Sequence, residues 1–543
     1  MKKLQELVYR HPVDSVLSLL LLCVLPWMLF RDYTPSNELR YLSIVDEALR
    51  DGHLFAFFNH GEPYADKPPL YIWMLMLCRV VFGRHCLLAL SLLSFIPAAL
   101  IVRVMDRWVY GASSAGTAQA LSDLARERMG MALILCSTIY WTGLTFFIRM
   151  DMLMTLFIVL ALYAWSRNRP WLFALYTFLA LFTKGPVGIL MPPLVILVYI
   201  LSMPRSSRRQ SADDRLRIGR FLGWRFLLLV GGCCAVWFTC VWLEAGPDYL
   251  NNLLFHQMMD RTVHAVHHQQ PFWYYLVFLW LVLLPWGFLT VPVCVASLLR
   301  RGETAIPQTD AASGEKLFRC AFFVPLVMLS LSGSKLPVYL LPVFPFVVYL
   351  LPLYVRRSGW RKWLSWPLAA AASAGMLIGL ALFLETLFNK QIPQLSPYGF
   401  AASPWMSLCG LLVFFGGLAV LLKAFRRKDS FPEIRPLAYA ILAGFLSLSP
   451  LILPSNEFLG YHAICREVPE DAKVYVMEDI RRPENMDVFI GRDVEVVHMG
   501  DPVPEDGVFI ARDTFSDPAL AGRPHRVHGE RIIWFPATDE DLP

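Results

Sequence analysis

Apolar runs of roughly 15 to 25 residues recur from near the N-terminus to about residue 453, and a helix needs about 20 such residues to cross the hydrocarbon of a bilayer. One run makes an anchor. A chain with many must fold in lipid, where every backbone N–H and C=O has to be satisfied inside a helix or a closed barrel. Composition agrees, since 56% hydrophobic against 17% charged residues and a mean hydropathy of +0.48 lie outside the range of soluble domains. The expected class is therefore mainly α, a polytopic transmembrane helical bundle. Most of the 11 cysteines fall inside the apolar runs, where a thiol behaves as a small apolar group. Met1 to Phe30 has the basic start of a signal peptide but no small-residue cleavage site; it reads as a retained first span.

The runs place about 13 spans near residues 15–30, 86–108, 129–148, 151–167, 170–182, 186–203, 223–243, 272–298, 318–332, 337–354, 364–386, 405–424 and 436–453. The basic loops 103–128, 204–220, 299–319, 355–362 and 423–435 then share one side, which the positive-inside rule assigns to the cytoplasm. Pro69 to Gly83, at 15 residues, is short for a span and is expected to lie along the outer interface. Parity puts residues 31–85, Arg149 to Asp151, Thr183 to Pro186, 244–271, Ser332 to Pro337 and 387–404 on the outer side with the tail. Residues 1–454 are thus expected as the transmembrane domain and 455–543 as a small extracytoplasmic α/β domain. Its short β-type runs are KVYVM, DVFI, VEVV, GVFI and RIIWF. The net charge of +6 is modest and sits in loops, so nucleic acid is not an expected partner.

Charged and histidine side chains at a membrane are costly and need a partner or a task. Here they collect in the outer segments. Asp66-Lys67 precedes Pro68-Pro69; the pair serves equally as a surface ion pair or as part of a site. His256, Asp260, Arg261, His264, His267 and His268 crowd one loop. Imidazole beside carboxylate suits zinc, but the spacing matches no closed zinc motif and a solvated histidine-rich loop explains it as well. Lys335, Lys184, and Arg149 with Asp151 can snorkel at helix ends. Their repetition on the side that positive-inside depletes is what snorkelling leaves unexplained, and a phosphate bound by converging cations accounts for it.

Seven ordered motifs carry a resemblance: NELRY, YADKPPLYIW, RMDMLMT, LTKGPVGILMPP, HQMMDRTVHAVHHQQPFWYY, LPWG and SGSKLPVYLLPVFP. Over roughly residues 10–455 the chain resembles the bacterial aminoarabinose transferases that modify lipid A, and more distantly the protein O-mannosyltransferases. The resemblance implies a C-type glycosyltransferase fold and a polyprenyl-phosphate sugar as donor. It implies donor-phosphate binding by Lys67, Arg261 and Tyr339, with Arg40 and Lys184 nearby. It implies a divalent metal on Asp66 and His256, zinc first, with magnesium or manganese as alternatives, and it makes Asp151 a second acidic residue of the outer cavity. The family's first loop usually begins Asp-Glu, and this one begins Asn37-Glu38. Asn cannot act as a general base. Either Glu38 takes that role, or the acceptor is already an anion such as a lipid phosphate, or the protein is inactive; retention of the phosphate-binding residues favours the second.

The implied enzyme transfers a sugar, 4-amino-4-deoxy-L-arabinose or a relative, to lipid A or another lipid or protein acceptor, from the periplasmic side of a bacterial inner membrane. A transporter or flippase of lipid-linked saccharides is the rival from another class, and an oligosaccharyltransferase-like or O-antigen-ligase-like enzyme the rival from the same one. Against the transporter, no paired inverted repeat of broken helices is visible.

Overall fold

The computed structural model describes residues 6, 8–111, 118–203, 217–254, 270–299, 310–358, 362–388, 403–425 and 433–536. Among them, seven helices are long and apolar enough to cross a membrane: Pro12–Phe30, Leu87–Tyr110, Ile218–Leu254, Pro337–Arg356, Ser365–Leu387, Pro404–Ala424 and Arg435–Leu459. Shorter apolar helices, Asp151–Ser166, Pro170–Lys184, Pro186–Leu201 and Gly287–Leu299, pack with them. The helices Ser365–Leu387 and Pro404–Ala424 touch along small residues. A Cβ added to Gly379 would stand 2.5 Å from the Gly410 carbonyl oxygen, so only glycine allows this approach.

Two stretches expected as unbroken spans are interrupted. The 129–148 run forms Ala118–Cys136 and then Ile139–Leu144; the 272–298 run forms Tyr274–Val282 and Gly287–Leu299. Backbone groups freed at a break in the membrane must find partners, and here the breaks serve each other. The Ile139 N–H donates to the Leu284 carbonyl at 3.1 Å, and the Trp286 indole N–H donates to Ser137 Oγ at 2.9 Å.

Between the first span and Leu87 lies a layer that the hydrophobic runs alone did not resolve. Arg40–Asp51 is an amphipathic helix closed by Gly52 at φ +78°. A two-residue-stranded hairpin follows, β1 (Phe58–Asn59) against β2 (Glu62–Pro63). Leu70–Phe82, at 13 residues, is about 20 Å long by its helical rise, well under the roughly 30 Å of hydrocarbon. It buries Tyr71, Ile72, Leu75 and Met76 but leaves Leu77, Val80, Val81 and Phe82 between 52% and 65% exposed, as a helix lying on lipid would.

The tail forms a five-stranded sheet in the order β4-β3-β5-β7-β6, with β3 (Lys473–Met477), β4 (Glu495–Val497), β5 (Gly507–Arg512), β6 (His525–His528) and β7 (Arg531–Trp534). β3 pairs in parallel with β4 and β5, while β7 is antiparallel to β5 and β6. Alternation gives the sheet two buried faces. Val474, Val476, Val508 and Ile510 join one cluster with Tyr33, Tyr41 and Tyr71 of the interfacial layer, and Tyr475, Met477, Phe509 and Trp534 form the other. The expected strand DVFI is instead a helical turn, Asp487–Ile490, because Asp487 there reaches Ser43 of the interfacial helix. HRVH, passed over in the sequence, is β6.

That turn carries a pH-sensitive contact. Ser43 Oγ donates to Asp487 Oδ2 at 2.7 Å, the Val488 N–H donates to Oδ1 at 2.7 Å, and His60 Nε2 lies 3.9 Å away. Burial pushes the Asp487 carboxyl up from 3.8 to about 6, with Asp46 adding to the rise and Ser43, His60 and Val488 opposing it. The folded state therefore holds this proton more tightly than the unfolded chain. Its contribution to stability is full below about pH 4, falls as the pH rises to about 6 and is level beyond. Melting of the detergent-purified protein should show this slope between pH 4 and pH 7, and Asp487→Asn should flatten it; an unchanged slope in the variant would refute the assignment.

Candidate active site

Asp151 opens the Asp151–Ser166 helix and Lys184 closes the Pro170–Lys184 helix, each at the end its charge favours. The sequence Thr183-Lys184-Gly185-Pro186 produces this locally. Gly185 takes φ +97°, which other residues resist, and Pro186 starts the next helix at the position that tolerates it. Asp151 is 2% exposed, and a carboxylate so placed must be paired. Lys184 Nζ contacts Asp151 Oδ1 directly, and Arg149 Nε donates to Oδ2 at 3.2 Å. Two cations thus share one anion. Lys184 Nζ also stands 4.8 Å from the Tyr339 ring centroid, a cation–π distance.

A second wall comes from the interfacial layer. Arg40 begins its helix with its guanidinium 5.4 Å from the Tyr64 ring and 5.8 Å from that of Tyr41. Its Nε is buried with no acceptor among the described residues. Tyr41, 6% exposed, lies within electrostatic reach of Arg40, Arg149, Asp151 and Asp66, so it joins the two walls. Asp66 and Lys67 follow the hairpin, half-buried.

The segment bearing them is latched from across the site. Glu244 accepts backbone N–H groups from Leu54, Phe55 and Ala56 at 2.8, 2.9 and 3.2 Å. The Tyr249 hydroxyl accepts from the Phe57 N–H at 2.9 Å and lies 3.0 Å from the Tyr64 carbonyl. Both belong to Gly232–Asn251, the helix that leads toward His256 and Arg261.

Glu38 is placed differently from a free base. It is 1% exposed and takes both Arg31 Nη atoms at 2.7 Å, the Thr34 N–H at 2.8 Å and the Ile148 N–H at 2.6 Å. Four donors occupy the positions a carboxylate offers. Asn37, beside it in the Pro35–Leu39 turn, is half-buried and its side chain forms no hydrogen bond with the described residues. Lys335 turns inward, bonding the Ser332 and Gln270 carbonyls, so it splices the chain rather than facing a ligand.

No protein-family model matches the chain. It is 26% identical over 443 residues to the undecaprenyl phosphate-alpha-4-amino-4-deoxy-L-arabinose arabinosyl transferase of Pseudomonas paraeruginosa, across 77% of this chain and 72% of that one. The enzyme of the same name from Pseudomonas savastanoi pv. phaseolicola is 29% identical over 62% of this chain and 59% of its own length. An uncharacterized protein of Aquifex aeolicus is 23% identical over 80% and 77%. In three dimensions the chain matches ArnT from Cupriavidus metallidurans bound to undecaprenyl phosphate, with a TM-score of 0.66, 18% identity and coverage of 98% and 99%, and its apo state with a TM-score of 0.67. The chain has the fold of these C-type membrane glycosyltransferases.

Of the residues the resemblance implied, Tyr339 stands over Lys184, Lys184 pairs with Asp151, and Asp66 stands within electrostatic reach of Arg40, with Tyr41 in reach of both groups. His256 and Arg261 lie outside the described residues, and with them half of the expected metal site. Among the described residues no three His, Cys, Asp or Glu side chains converge on a common point. Tyr41, Glu244 and Tyr249 were not singled out; NELRY held Tyr41 in plain view, but nothing local marks Glu244.

Removing Glu38 leaves Arg31 buried and unpaired, which costs about 3–5 kcal/mol for such pairs. Glu38→Ala should therefore lower the melting temperature of the purified protein sharply. A variant that melts normally but loses transfer would instead make Glu38 a reacting group.

Proposed function

We propose that this membrane glycosyltransferase moves a sugar, 4-amino-4-deoxy-L-arabinose or a related one, from a polyprenyl-phosphate donor to lipid A or another lipid phosphate. One observation carries the reading. Lys184 and Arg149 share the buried Asp151, Tyr41 lies within electrostatic reach of Arg40, Arg149 and Asp151, and Arg40 Nε has no acceptor among the described residues. A phosphate dianion supplies what this excess of positive charge lacks. The names of the relatives and the undecaprenyl phosphate held by the structural neighbour support the donor class. The basic loops and the positive-inside rule support a bacterial inner membrane with the cavity and the sheet domain on the periplasmic side.

The reaction is displacement at the anomeric carbon. An acceptor oxygen forms the new bond as the bond to the donor phosphate oxygen breaks, and the electron pair leaves with the polyprenyl phosphate. Charge grows on that phosphate, so Lys67, Arg261, Arg40 and Lys184 assist most at the transition state. Asp151 holds Lys184 and Arg149 in place. Tyr339 flanks Lys184 and narrows its freedom. A divalent metal, zinc by donor type, would sit on Asp66 and His256 and add charge at the same phosphate.

No base is supplied at Asn37, and Glu38 has its acceptor positions filled. An acceptor that arrives ionised needs none, which favours a phosphate oxygen over a Ser or Thr hydroxyl; a protein acceptor is the alternative. Transfer from a synthetic polyprenyl-phosphate sugar to lipid A, read by mass spectrometry with the reconstituted protein, tests the proposal. Lys184→Ala should cost about 10²–10³-fold, the usual loss of one transition-state donor, whereas Asn37→Asp should change the rate little. Normal transfer by Lys184→Ala would sink the cavity assignment, and a large gain from Asn37→Asp would point to a hydroxyl acceptor.

A further inference from the structure

A cavity of about 810 Å³, lined by none of the proposed donor-binding residues, lies where the ends of three membrane helices meet the sheet domain. Leu29 and Phe30 end the first span, Leu87 begins the next and Leu453 lies near the end of the last. Leu29, Phe30 and Leu453 are 43%, 56% and 65% exposed. Asn456 ties these ends together, donating to the Phe30 carbonyl at 2.8 Å and accepting from the Asp32 N–H at 2.8 Å. The cavity thus has an apolar floor at the depth where helices leave the hydrocarbon.

Its upper rim is charged. Four arginines line it, and two of them are committed: Arg31 to Glu38, and Arg79 to Asp46 at 2.8 Å. The side chains of Arg84 and Arg466, both exposed, form no ion pair or hydrogen bond among the described residues. Asp32 is also spent, accepting from the Tyr33 and His462 N–H groups at 2.7 and 2.8 Å. Glu457, exposed on the same rim, keeps its carboxylate. An apolar floor, two uncommitted guanidinium groups and one uncommitted carboxylate complement acyl chains, a phosphate and an ammonium in turn.

We infer that this groove binds phosphatidylethanolamine of the adjoining leaflet, its phosphate at Arg84 and Arg466 and its primary ammonium at Glu457. Because Arg466 belongs to the segment leading into the sheet and Arg84 to the turn before the second span, the headgroup would fasten the two parts together. The inference concerns lipid retention and does not require the proposed transfer activity.

Native mass spectrometry of the full chain released from nanodiscs of mixed lipids tests it. The protein should keep phosphatidylethanolamine in preference to phosphatidylcholine, whose ammonium has no N–H, and to phosphatidylglycerol, which has no cation. The double substitution Arg84→Gln with Arg466→Gln should lower retention about tenfold or more, as for the loss of two charge-assisted contacts. Glu457→Gln should keep the bound phospholipid but erase the preference over phosphatidylglycerol. Lys473→Ala, a charge removed elsewhere on the sheet domain, should change neither, and inorganic phosphate should not compete. Parental retention by the double variant, an absence of headgroup preference in the parent, or displacement by inorganic phosphate would each overturn the assignment.

Discussion

The buried pair between Arg31 and Glu38 is the joint from which the interfacial layer hangs. Arg31 follows the first span, Glu38 leads into the interfacial helix, and the Phe146 carbonyl and Ile148 N–H that complete the network belong to the turn just before Arg149 and Asp151. One ion pair therefore fixes the start of the interfacial layer to a turn more than 100 residues later in the chain. Arg31 also lies 4.8 Å from the Phe147 ring centroid, so the guanidinium is enclosed by aromatic faces as well as oxygens. Burial makes such a pair unforgiving, because neither charge can be left alone out of water. That stringency keeps Asn37 and Arg40, one residue before and two after Glu38, at defined positions.

From that joint the two walls of the proposed site are held by different means. The helix-borne wall uses charge, with Lys184 and Arg149 against Asp151. The interfacial wall uses backbone hydrogen bonds, in which Glu244 and Tyr249 gather the strand that precedes Asp66 and Lys67. A site for an anion benefits from this division. The charged residues can stay in excess because the wall facing them is positioned without spending further cations, and electrostatic assistance requires donors that are fixed before the charge develops.

The sheet domain is fastened to the interfacial layer and to the end of the last span, where Arg531 of β7 donates to the Phe458 carbonyl at 2.7 Å. Its Val474, Val476, Val508 and Ile510 face packs with Tyr33, Tyr41 and Tyr71, and Asp487 reaches Ser43 through one hydrogen bond. Tyr41 belongs to this cluster and also lies within electrostatic reach of Arg40, Arg149 and Asp151, so the seat of the domain and the charged cluster share one packed surface. A change in how the sheet sits would be felt at Tyr41 first.

The sequence by itself determined that the chain lives in a membrane, because apolar length is read directly against bilayer thickness. It also marked Arg40, Asp66, Lys67, Asp151, Lys184 and Tyr339, because a charge or ring at a helix end beside lipid stands out against its neighbours. It showed Pro69 to Gly83 as short for a span. What it could not determine is which polar residues are spent on each other. Glu38 reads as a base until Arg31, Thr34 and Ile148 are seen around it, and DVFI reads as a strand until Asp487 meets Ser43. Broken spans at Ser137 and Leu284 look continuous because hydropathy does not register a kink whose freed backbone groups pair across the bundle. Pairing between residues hundreds of positions apart is a property of the folded chain alone, and it decided which charges in this protein are left for a ligand.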